Sequence, residues 1–407
     1  MKKLYIIGAF DRYNYGDILF PVVIKYYIST YRPDIFNTHA IEYISLNKSD
    51  LTKIGGVKTK RLSDLSEESV QFDVIISGGE VLDANIIGLY IDSSNNLVEM
   101  LFKEVCNRFV SKRLLAMSAY KKFNVRTDYP YIIKKDYFPN IGKIIYNSVG
   151  GCVIDTCEQA DYIKQSLNNN HNYISVRDVN TWNNLNNKYA LAPDSALLIS
   201  DIFDSDTLDQ LVNIKIKNRL DGIGNYIGFQ ISLRKYIKNK KYILSELDKF
   251  IKHGIKVVLT PIGWAFGHDD YLALSAIKKV YPEDCILEKH MTIYDIMYTI
   301  SHSMYFVSSS LHGNITAMSY SIPHCGIPDS NIKVNAFLQT WDIEQQNKCI
   351  KLNDIYNSYL RSKHIDKNLL LSNTNRLKTL VKKNLKEIMN IIEELKEDLD
   401  GEKQAFN

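Results

Sequence analysis

The sequence lacks an uninterrupted apolar run of the roughly 18 residues that a membrane-spanning helix needs. It also has little net charge, because 50 Lys and Arg stand against 46 Asp and Glu, which leaves +4 over 407 residues. Domains that bind nucleic acid are usually strongly basic. We therefore expect neither a membrane-spanning protein nor a nucleic-acid-binding one, and the expected partners are small molecules or glycans.

Cysteine is scarce, and the six cysteines show no spacing typical of a zinc site or a secreted disulfide framework. The two nearest, Cys152 and Cys157, are too far apart for a redox dithiol. The apolar run 4–10 at the start of the chain meets Asp11 and Arg12 at once, which favours a buried strand over a signal peptide. We expect free thiols in a cytoplasmic protein.

Metal and dinucleotide motifs are also missing. The sequence has no G-x-G-x-x-G fingerprint. His268, Asp269 and Asp270 stand together, but adjacent side chains in one loop rarely converge on one ion, and Asp269 better suits a helix cap. We expect neither a metal nor an organic cofactor.

What the sequence does contain is an alternation of short apolar runs with longer helical patterns, such as 18–31 and 97–109. This alternation predicts parallel sheets flanked by helices. The runs that we predict as strands are 4–9, 74–77, 114–117, 151–154, 173–176, 226–232, 256–261 and 304–308.

A polar stretch at 204–225 interrupts this rhythm and predicts a linker between two α/β domains, at 1–203 and 226–365. The segment 366–407 contains a long amphipathic helix whose apolar stripe runs from 377 to 399. We expect the stripe to pack on its own domain, because about two heptads are too few to favour a dimer coil. A homo-oligomer is left open.

The segment 305–317 carries the strongest motif, in which a buried strand leads through three serines to His312, Gly313 and a helix. Backbone N–H groups and the helix dipole would face a phosphate or carboxylate there, and the hydroxyls of Ser309 and Ser310 would add donors. His312 could give a proton, because an imidazole titrates near neutral pH. The alternative is that these residues only cap the helix.

Arg177 follows the predicted strand 173–176, and its planar guanidinium matches a carboxylate or phosphate. The alternative is a structural pair with Asp178. Asp194 lies in the same half of the chain, where it could orient a substrate hydroxyl or cap the next helix.

Two glycine-containing turns follow other strands and permit close approach of a ligand. The first includes Asn14 and Asp17, with Asp17 at an expected N-cap position. The second places Glu80 after Gly78 and Gly79, where Glu80 is a candidate base for a sugar hydroxyl or an exposed acid in a tight turn.

Arg234 opens a basic run, 234–241, that we expect to form a loop. Such runs are usually solvated. The first residues could still reach a substrate, and the run could touch the inner face of an anionic membrane that carries a lipid-linked acceptor.

Taken in order, these motifs resemble the polysaccharide pyruvyl transferases over nearly the whole chain. The resemblance implies a GT-B-like fold, in which two Rossmann-like parallel-sheet domains face each other across a cleft. It also implies transfer of a pyruvyl group from phosphoenolpyruvate to two hydroxyls of a polysaccharide sugar, without a cofactor. The matching residues are Asn14-Tyr15-Gly16-Asp17, Gly78-Gly79, Ser175-Val176-Arg177-Asp178, Pro193-Asp194, Pro261, Asp269-Asp270, Leu311-His312-Gly313, Ala317 and Ile322-Pro323.

The resemblance implies that Arg177 binds phosphoenolpyruvate, that His312 is the general acid and that Leu311 shapes the pocket. We add Glu80 and Asp17 as candidate bases. The remaining predicted site residues are Ser309, Ser310, Gly313 and Arg234 on the donor side, and Asn14 and Asp194 on the acceptor side.

Ser310 stands where many members of this family carry arginine, and the loss removes a contact of about 1.5–3 kcal/mol unless another cation replaces it. Arg234, Lys235 and Lys289 are candidates. The alternative function is a GT-B-like glycosyltransferase that uses a nucleotide sugar, although the helical segment 314–320 lacks the glutamate that often holds such donors. A non-catalytic glycan-binding protein is the third hypothesis.

Overall fold

Two parallel β-sheets organise the chain in the computed structural model, which describes residues 1–94, 96–109, 111–169, 171–264 and 270–393. The strands of the first sheet are β1 Lys2–Ile7, β2 His39–Ser45, β3 Ser49–Asp50, β4 Lys58–Arg61, β5 Phe72–Ser77, β6 Ile141–Val149, β7 Tyr173–Val176 and β8 Ala190–Leu191. Those of the second sheet are β9 Tyr226–Gln230, β10 Lys256–Leu259, β11 Cys285–Leu287, β12 Tyr305–Ser308 and β13 His324–Gly326.

Helices cover both sheets. They are α1 Tyr15–Tyr31, α2 Pro33–Thr38, α3 Ile86–Asp92, α4 Leu97–Phe109, α5 Lys112–Phe123, α6 Ala160–Asn169, α7 Val179–Asn184, α8 Ile199–Ile202, α9 Ser205–Leu211, α10 Ile214–Ile223, α11 Leu233–Lys252, α12 Asp270–Val280, α13 Ile293–Ser301, α14 Leu311–Ser319, α15 Ile332–Trp341, α16 Ile355–Ser362 and α17 Lys367–Glu393. Within the described residues, no helix is long and apolar enough to cross a membrane.

The first sheet has the strand order β3-β4-β2-β1-β5-β6-β7-β8, and the second has β11-β10-β9-β12-β13. Every pairing is parallel except the short β3–β4 pair at the edge. The central strands are apolar and buried on both faces, as in β9 and β12, because helices lie on each side. Parallel pairing brings the carboxyl ends of each sheet's strands to one edge.

Three local predictions are wrong. The run 114–117, predicted as a strand, lies in α5, where Leu115, Ala119 and Phe123 share the buried face. The run 151–154 follows β6 rather than forming a strand. The basic run 234–241 belongs to α11 instead of a loop.

The C-terminal helix α17 contacts both halves of the chain. The Thr374 hydroxyl donates to the Met318 carbonyl of α14 at 2.7 Å, and the later part of the helix crosses back to the first sheet. Asn384 bonds both Tyr173 of β7 and Asn147 of β6, and the Lys143 amine donates to the carbonyls of Ile391 and Ile392. The sequence does not show which sheet has an uncovered face. Leu395 and Leu399 lie outside the described residues.

The stretch 204–225 is largely helical, since it contains α9 and α10. The Asn213 backbone N–H donates to Asp295 at 2.8 Å, and Arg219 pairs with Glu288, so the stretch contacts the half of the chain that holds the second sheet. We propose that it belongs to the second domain rather than forming a free linker.

The loops that follow β1 and β10 join the two halves. Asn14 forms a β-bridge with Gly263, and the Tyr15 N–H donates to the Ile262 carbonyl at 3.2 Å. Deeper in the seam, the Tyr15 hydroxyl lies 2.8 Å from that of Thr316 in α14. These contacts place the first turn of α1 against α14, beside the residues described next.

Candidate active site

Arg177 lies directly after β7 and is fully buried among carboxylates. Its guanidinium donates to Glu80, and it lies 3.6 Å from Asp194 and 3.7 Å from Asp178. Burial by itself lowers the pKa of Arg177, but the negative charges of Glu80, Asp194 and Asp178 raise it above its usual value. Nε and Nη1 have no hydrogen-bond partner among the described residues.

Two neighbours fix where Arg177 lies. A Cβ at Gly150 would come within 2.6 Å of Nη2, so only glycine leaves room for the guanidinium. The indole N–H of Trp341, in α15, donates to the Arg177 carbonyl at 2.6 Å. The second half of the chain thus holds the backbone of a residue in the first half.

His312 is in the first turn of α14 and is 8% exposed. Its Nε2 lies 3.6 Å from the Oδ2 atom of Asp194, and its ring packs edge-on against Phe20 with centroids 5.3 Å apart. A Cβ at Gly16 would lie 1.9 Å from Nδ1. The imidazole can therefore occupy this place only because α1 presents a glycine.

Asp194 brings these groups together, because its Oδ2 atom lies 3.6 Å from both His312 and Arg177. Its other oxygen, Oδ1, accepts from the Ala196 N–H at 3.0 Å, so the residue is also the cap considered from the sequence. Burial raises the pKa of Asp194, but His312 and Arg177 lower it by more. The pKa of Asp194 is therefore below its usual value. The carboxylate is fully buried.

The serine turn, Ser308–Ser310, is held by Gln230 at the end of β9. The Gln230 side-chain carbonyl accepts from the N–H groups of Ser309 and Ser310 at 2.9 and 3.0 Å. The two N–H groups are therefore occupied, contrary to our expectation of free donors. Those of Leu311 and His312 have no partner among the described residues.

Asp270 orients Gln230. Its Oδ2 atom accepts from the Gln230 amide at 2.9 Å and from the N–H groups of Ile262 and Gly263 at 3.1 and 3.0 Å. The amide nitrogen thus faces Asp270, and the amide oxygen faces the serine turn. The predicted His268 and Asp269 lie outside the described residues.

Lys235 is the cation nearest the serine turn, since its amine donates to the Ser309 carbonyl at 3.0 Å. Burial and the charge of Lys333 lower the pKa of Lys235 to about 8. Arg234 instead pairs with Glu104 of α4, and Lys289 lies over the ring of Tyr271. Of the three cations considered, Lys235 is thus the one bonded to the turn.

Asp83 is a site residue that sequence reasoning missed. It lies beyond β5, three residues after Glu80, and it accepts from the Val153 N–H at 3.3 Å, next to the Cys152 N–H that bonds Glu80 at 2.7 Å. Burial and the charge of Glu80 raise the pKa of Asp83 to about 7. The pKa of Glu80 is lowered, because Arg177 and Lys333 outweigh burial. The sequence does show a second acidic residue, Asp83, after the strand that precedes Glu80, and this could have identified it.

Asn14 and Asp17 lie at the start of α1. Asn14, not Asp17, is the N-cap residue, and its side-chain amide donates to Asp17 at 2.8 Å. A Cβ at Gly79 would lie 3.4 Å from Asp17, so this carboxylate is close to the turn that carries Glu80. The described residues contain no group of His, Cys, Asp or Glu that could hold a metal ion.

The sequence profile of the polysaccharide pyruvyl transferases matches residues 14–331. The chain belongs to this family. The match includes the serine turn, Arg177 and Asp194, and it confirms the resemblance seen in the motifs. A comparison with curated protein sequences finds no match to this pyruvyl transferase family member.

Solved structures show the same fold at low identity. S. aureus MnaA in complex with UDP aligns with a TM-score of 0.56 at 10% identity, covering 97% of this chain and 98% of that one. UDP-GlcNAc 2-epimerase from Neisseria meningitidis, bound to UDP-GlcNAc, aligns with a TM-score of 0.52 at 12% identity, covering 97% and 100%. The pyruvyl transferase family member thus has the predicted GT-B-like fold.

We expect Gly16→Ala to reduce transferase turnover about 100-fold, because the new methyl group displaces the His312 ring. The measurement is the turnover number, with urea unfolding recorded in parallel. Gly222→Ala is the control, since its Cβ meets nothing within 4 Å. Full turnover of a folded Gly16→Ala variant would contradict the assigned position of the imidazole.

Proposed function

We propose that the protein transfers the pyruvyl group of phosphoenolpyruvate to two hydroxyls of a glycan sugar, forming a cyclic ketal. The observation that carries the proposal is the convergence of Arg177 and His312 on one Asp194 oxygen, at 3.6 Å each. A guanidinium and an imidazole suit a donor that has two anionic groups and needs a proton. The family match supports the same reaction.

Cations of the second half of the chain would hold the donor phosphate. Lys235 lies beside the serine turn, and the charge of Lys333 acts on both Lys235 and Glu80. We assign the donor phosphate to these two lysines and to the N–H groups of Leu311 and His312 at the start of α14. Lys235 then replaces the arginine that many family members carry at the position of Ser310.

Arg177 needs a further step before it can bind the donor, because Glu80 pairs with it and the guanidinium is fully buried. The Glu80 side chain is 20% exposed, whereas that of Arg177 is 1% exposed. We propose that the donor carboxylate exchanges with Glu80 for the guanidinium. Glu80 then pairs with Arg177 only in the absence of the donor, and it is not the base.

His312 acts as the general acid in this proposal. It gives a proton to the methylene carbon of the donor, which leaves an oxocarbenium-like centre at the adjacent carbon. One sugar hydroxyl bonds to that carbon, the bond to the phosphate oxygen breaks, and the second hydroxyl closes the ring. A carboxylate base takes up each hydroxyl proton in turn and passes it on, so that one restores His312 and the other leaves with phosphate.

Asp83 is the better base among the nearby carboxylates. A base that works near neutral pH needs a pKa close to that range, and Asp83, at about 7, meets this condition whereas Glu80 does not. Asp194 is fully buried, so we now assign it a positioning role rather than acceptor binding. Asn14 remains the candidate for contact with the acceptor, and Asp17, the other predicted base, is bonded to Asn14 near the Glu80 turn.

We expect Glu80→Gln to tighten phosphoenolpyruvate binding about tenfold, because the neutral amide competes less strongly for Arg177. Arg177→Lys should weaken binding, since lysine lacks the bidentate fork. The dissociation constants can be measured by calorimetry. Arg219→Lys, in an exposed pair, is the control. An unchanged or weaker affinity in Glu80→Gln would refute the exchange.

The pH profile tests the base. The ionised form of Asp83 would be active, so kcat/KM should rise as pH increases through about 7, and it should fall again above about 8, where Lys235 loses the charge that holds the donor phosphate. Asp83→Asn should lower kcat/KM and abolish this acidic limb, whereas Asp155→Asn, at an exposed ion pair, should leave it intact. An acidic limb that persists in Asp83→Asn would exclude Asp83.

A further inference from the structure

Helix α4 exposes most of its apolar side chains to solvent, although Met100 is buried. We use the term apolar face for this surface, to which two side chains of α5 also contribute. Its side chains, all between 48% and 76% exposed, are Val98, Leu101, Phe102, Val105, Phe109, Leu114 and Met117. The spacing of the α4 members places them along one side of the helix. Isolated exposed apolar residues are ordinary, but a contiguous set marks a binding surface.

The opposite side of α4 is the side that contacts the protein, and it carries a buried lysine. Lys103 is 4% exposed there, and its amine donates to the Tyr90 carbonyl and the Ser94 hydroxyl at 3.0 and 3.1 Å. It also pairs with Glu99 at 2.7 Å. A surface helix normally buries its apolar side and exposes its lysines. Since α4 does the reverse, its apolar face fits a partner outside the fold.

The charge around the apolar face is positive. Residues 97–128 contain seven Lys or Arg and three Asp or Glu, an excess of four that equals the net charge of the whole chain. Arg108, Arg113 and Lys121 are exposed, and so is Lys112, which pairs with Glu158. Two copies of this chain meeting through the face would bring these like charges together. Anionic lipid headgroups would instead be attracted to these basic residues.

Helix α4, which carries most of the apolar face, also contacts α11, the helix whose Lys235 bonds the serine turn. Glu104 of α4 pairs with Arg234, at the start of α11 in the other half of the chain. The next residue, Lys235, bonds the Ser309 carbonyl. A surface that docks through α4 would therefore lie near the serine turn.

We propose that the apolar face inserts into the headgroup region of an anionic lipid bilayer, with α4 lying in the membrane plane. Amphipathic helices with aromatic and aliphatic side chains bordered by basic residues bind membranes in this way. The docking itself is independent of the donor. Docking would bring the enzyme to a lipid-linked glycan acceptor, and this consequence rests on the proposed function.

The test is flotation of the full chain with vesicles of phosphatidylcholine, alone or mixed with phosphatidylglycerol. We expect binding to the anionic vesicles, and binding at least about tenfold weaker for the double variant Phe102→Ser/Phe109→Ser. Ile214→Ser/Leu371→Ser, at residues 63% and 52% exposed on other helices, should bind like the wild type. Arg108→Glu/Arg113→Glu, which keeps the aromatic residues, should also lose affinity.

Several results would overturn the proposal. They are failure of the wild type to bind anionic vesicles, equal binding by the Phe102/Phe109 variant, or a dimer in gel filtration that this variant dissociates. The dimer result would identify a second copy as the occupant of the apolar face. Transfer to a water-soluble acceptor should be unchanged in the variants, so failure of docking and failure of the proposed function remain distinguishable.

Discussion

A buried carboxylate, Asp194, is the constraint on which the candidate active site depends. It stays ionised without solvent contact because Arg177, from the first half of the chain, and His312, from the second, lie equally close to its Oδ2 atom. Removing one partner of a buried ion pair typically costs about 3–5 kcal/mol, since a charge is left uncompensated. The arrangement of the two halves and the position of the imidazole are therefore coupled. A change that separates the halves would also separate the proposed acid from the proposed donor-binding group.

A second buried carboxylate has a similar role in the other half of the chain. Asp270 is buried and fixes Gln230, whose amide oxygen then holds the backbone of the serine turn. Each half thus uses one buried carboxylate to set groups at the carboxyl edge of its sheet. Glycines complete the arrangement, because Gly16 and Gly150 leave space that any side chain would fill. Lys333 is exposed and Glu80 is partly exposed, so a ligand can reach both side chains.

The sequence predicted most of this framework where local patterns were sufficient. Strands buried on both faces, such as β7 and β12, and the polar residues that follow them could be identified from the chain alone. Strand β6 was missed because Asn147, within it, is polar, and its side chain bonds only residues that are distant in the chain, Ser195 and Asn384. Asp83 and Gln230 were missed for a similar reason, since their roles arise from contacts with residues far away in the chain. The run 114–117 was misassigned because its apolar side chains are mostly exposed, which a buried-strand pattern does not anticipate.

The account's central claim is that the two halves enclose an enol phosphate donor, and mass analysis of the product tests it most directly. A glycan library would be incubated with the enzyme and either phosphoenolpyruvate or a panel of nucleotide sugars. The account predicts a product only with phosphoenolpyruvate, heavier than the acceptor by one pyruvic acid less one water, with release of one phosphate. A product that gains a sugar unit from a nucleotide sugar, with no reaction of phosphoenolpyruvate, would contradict it.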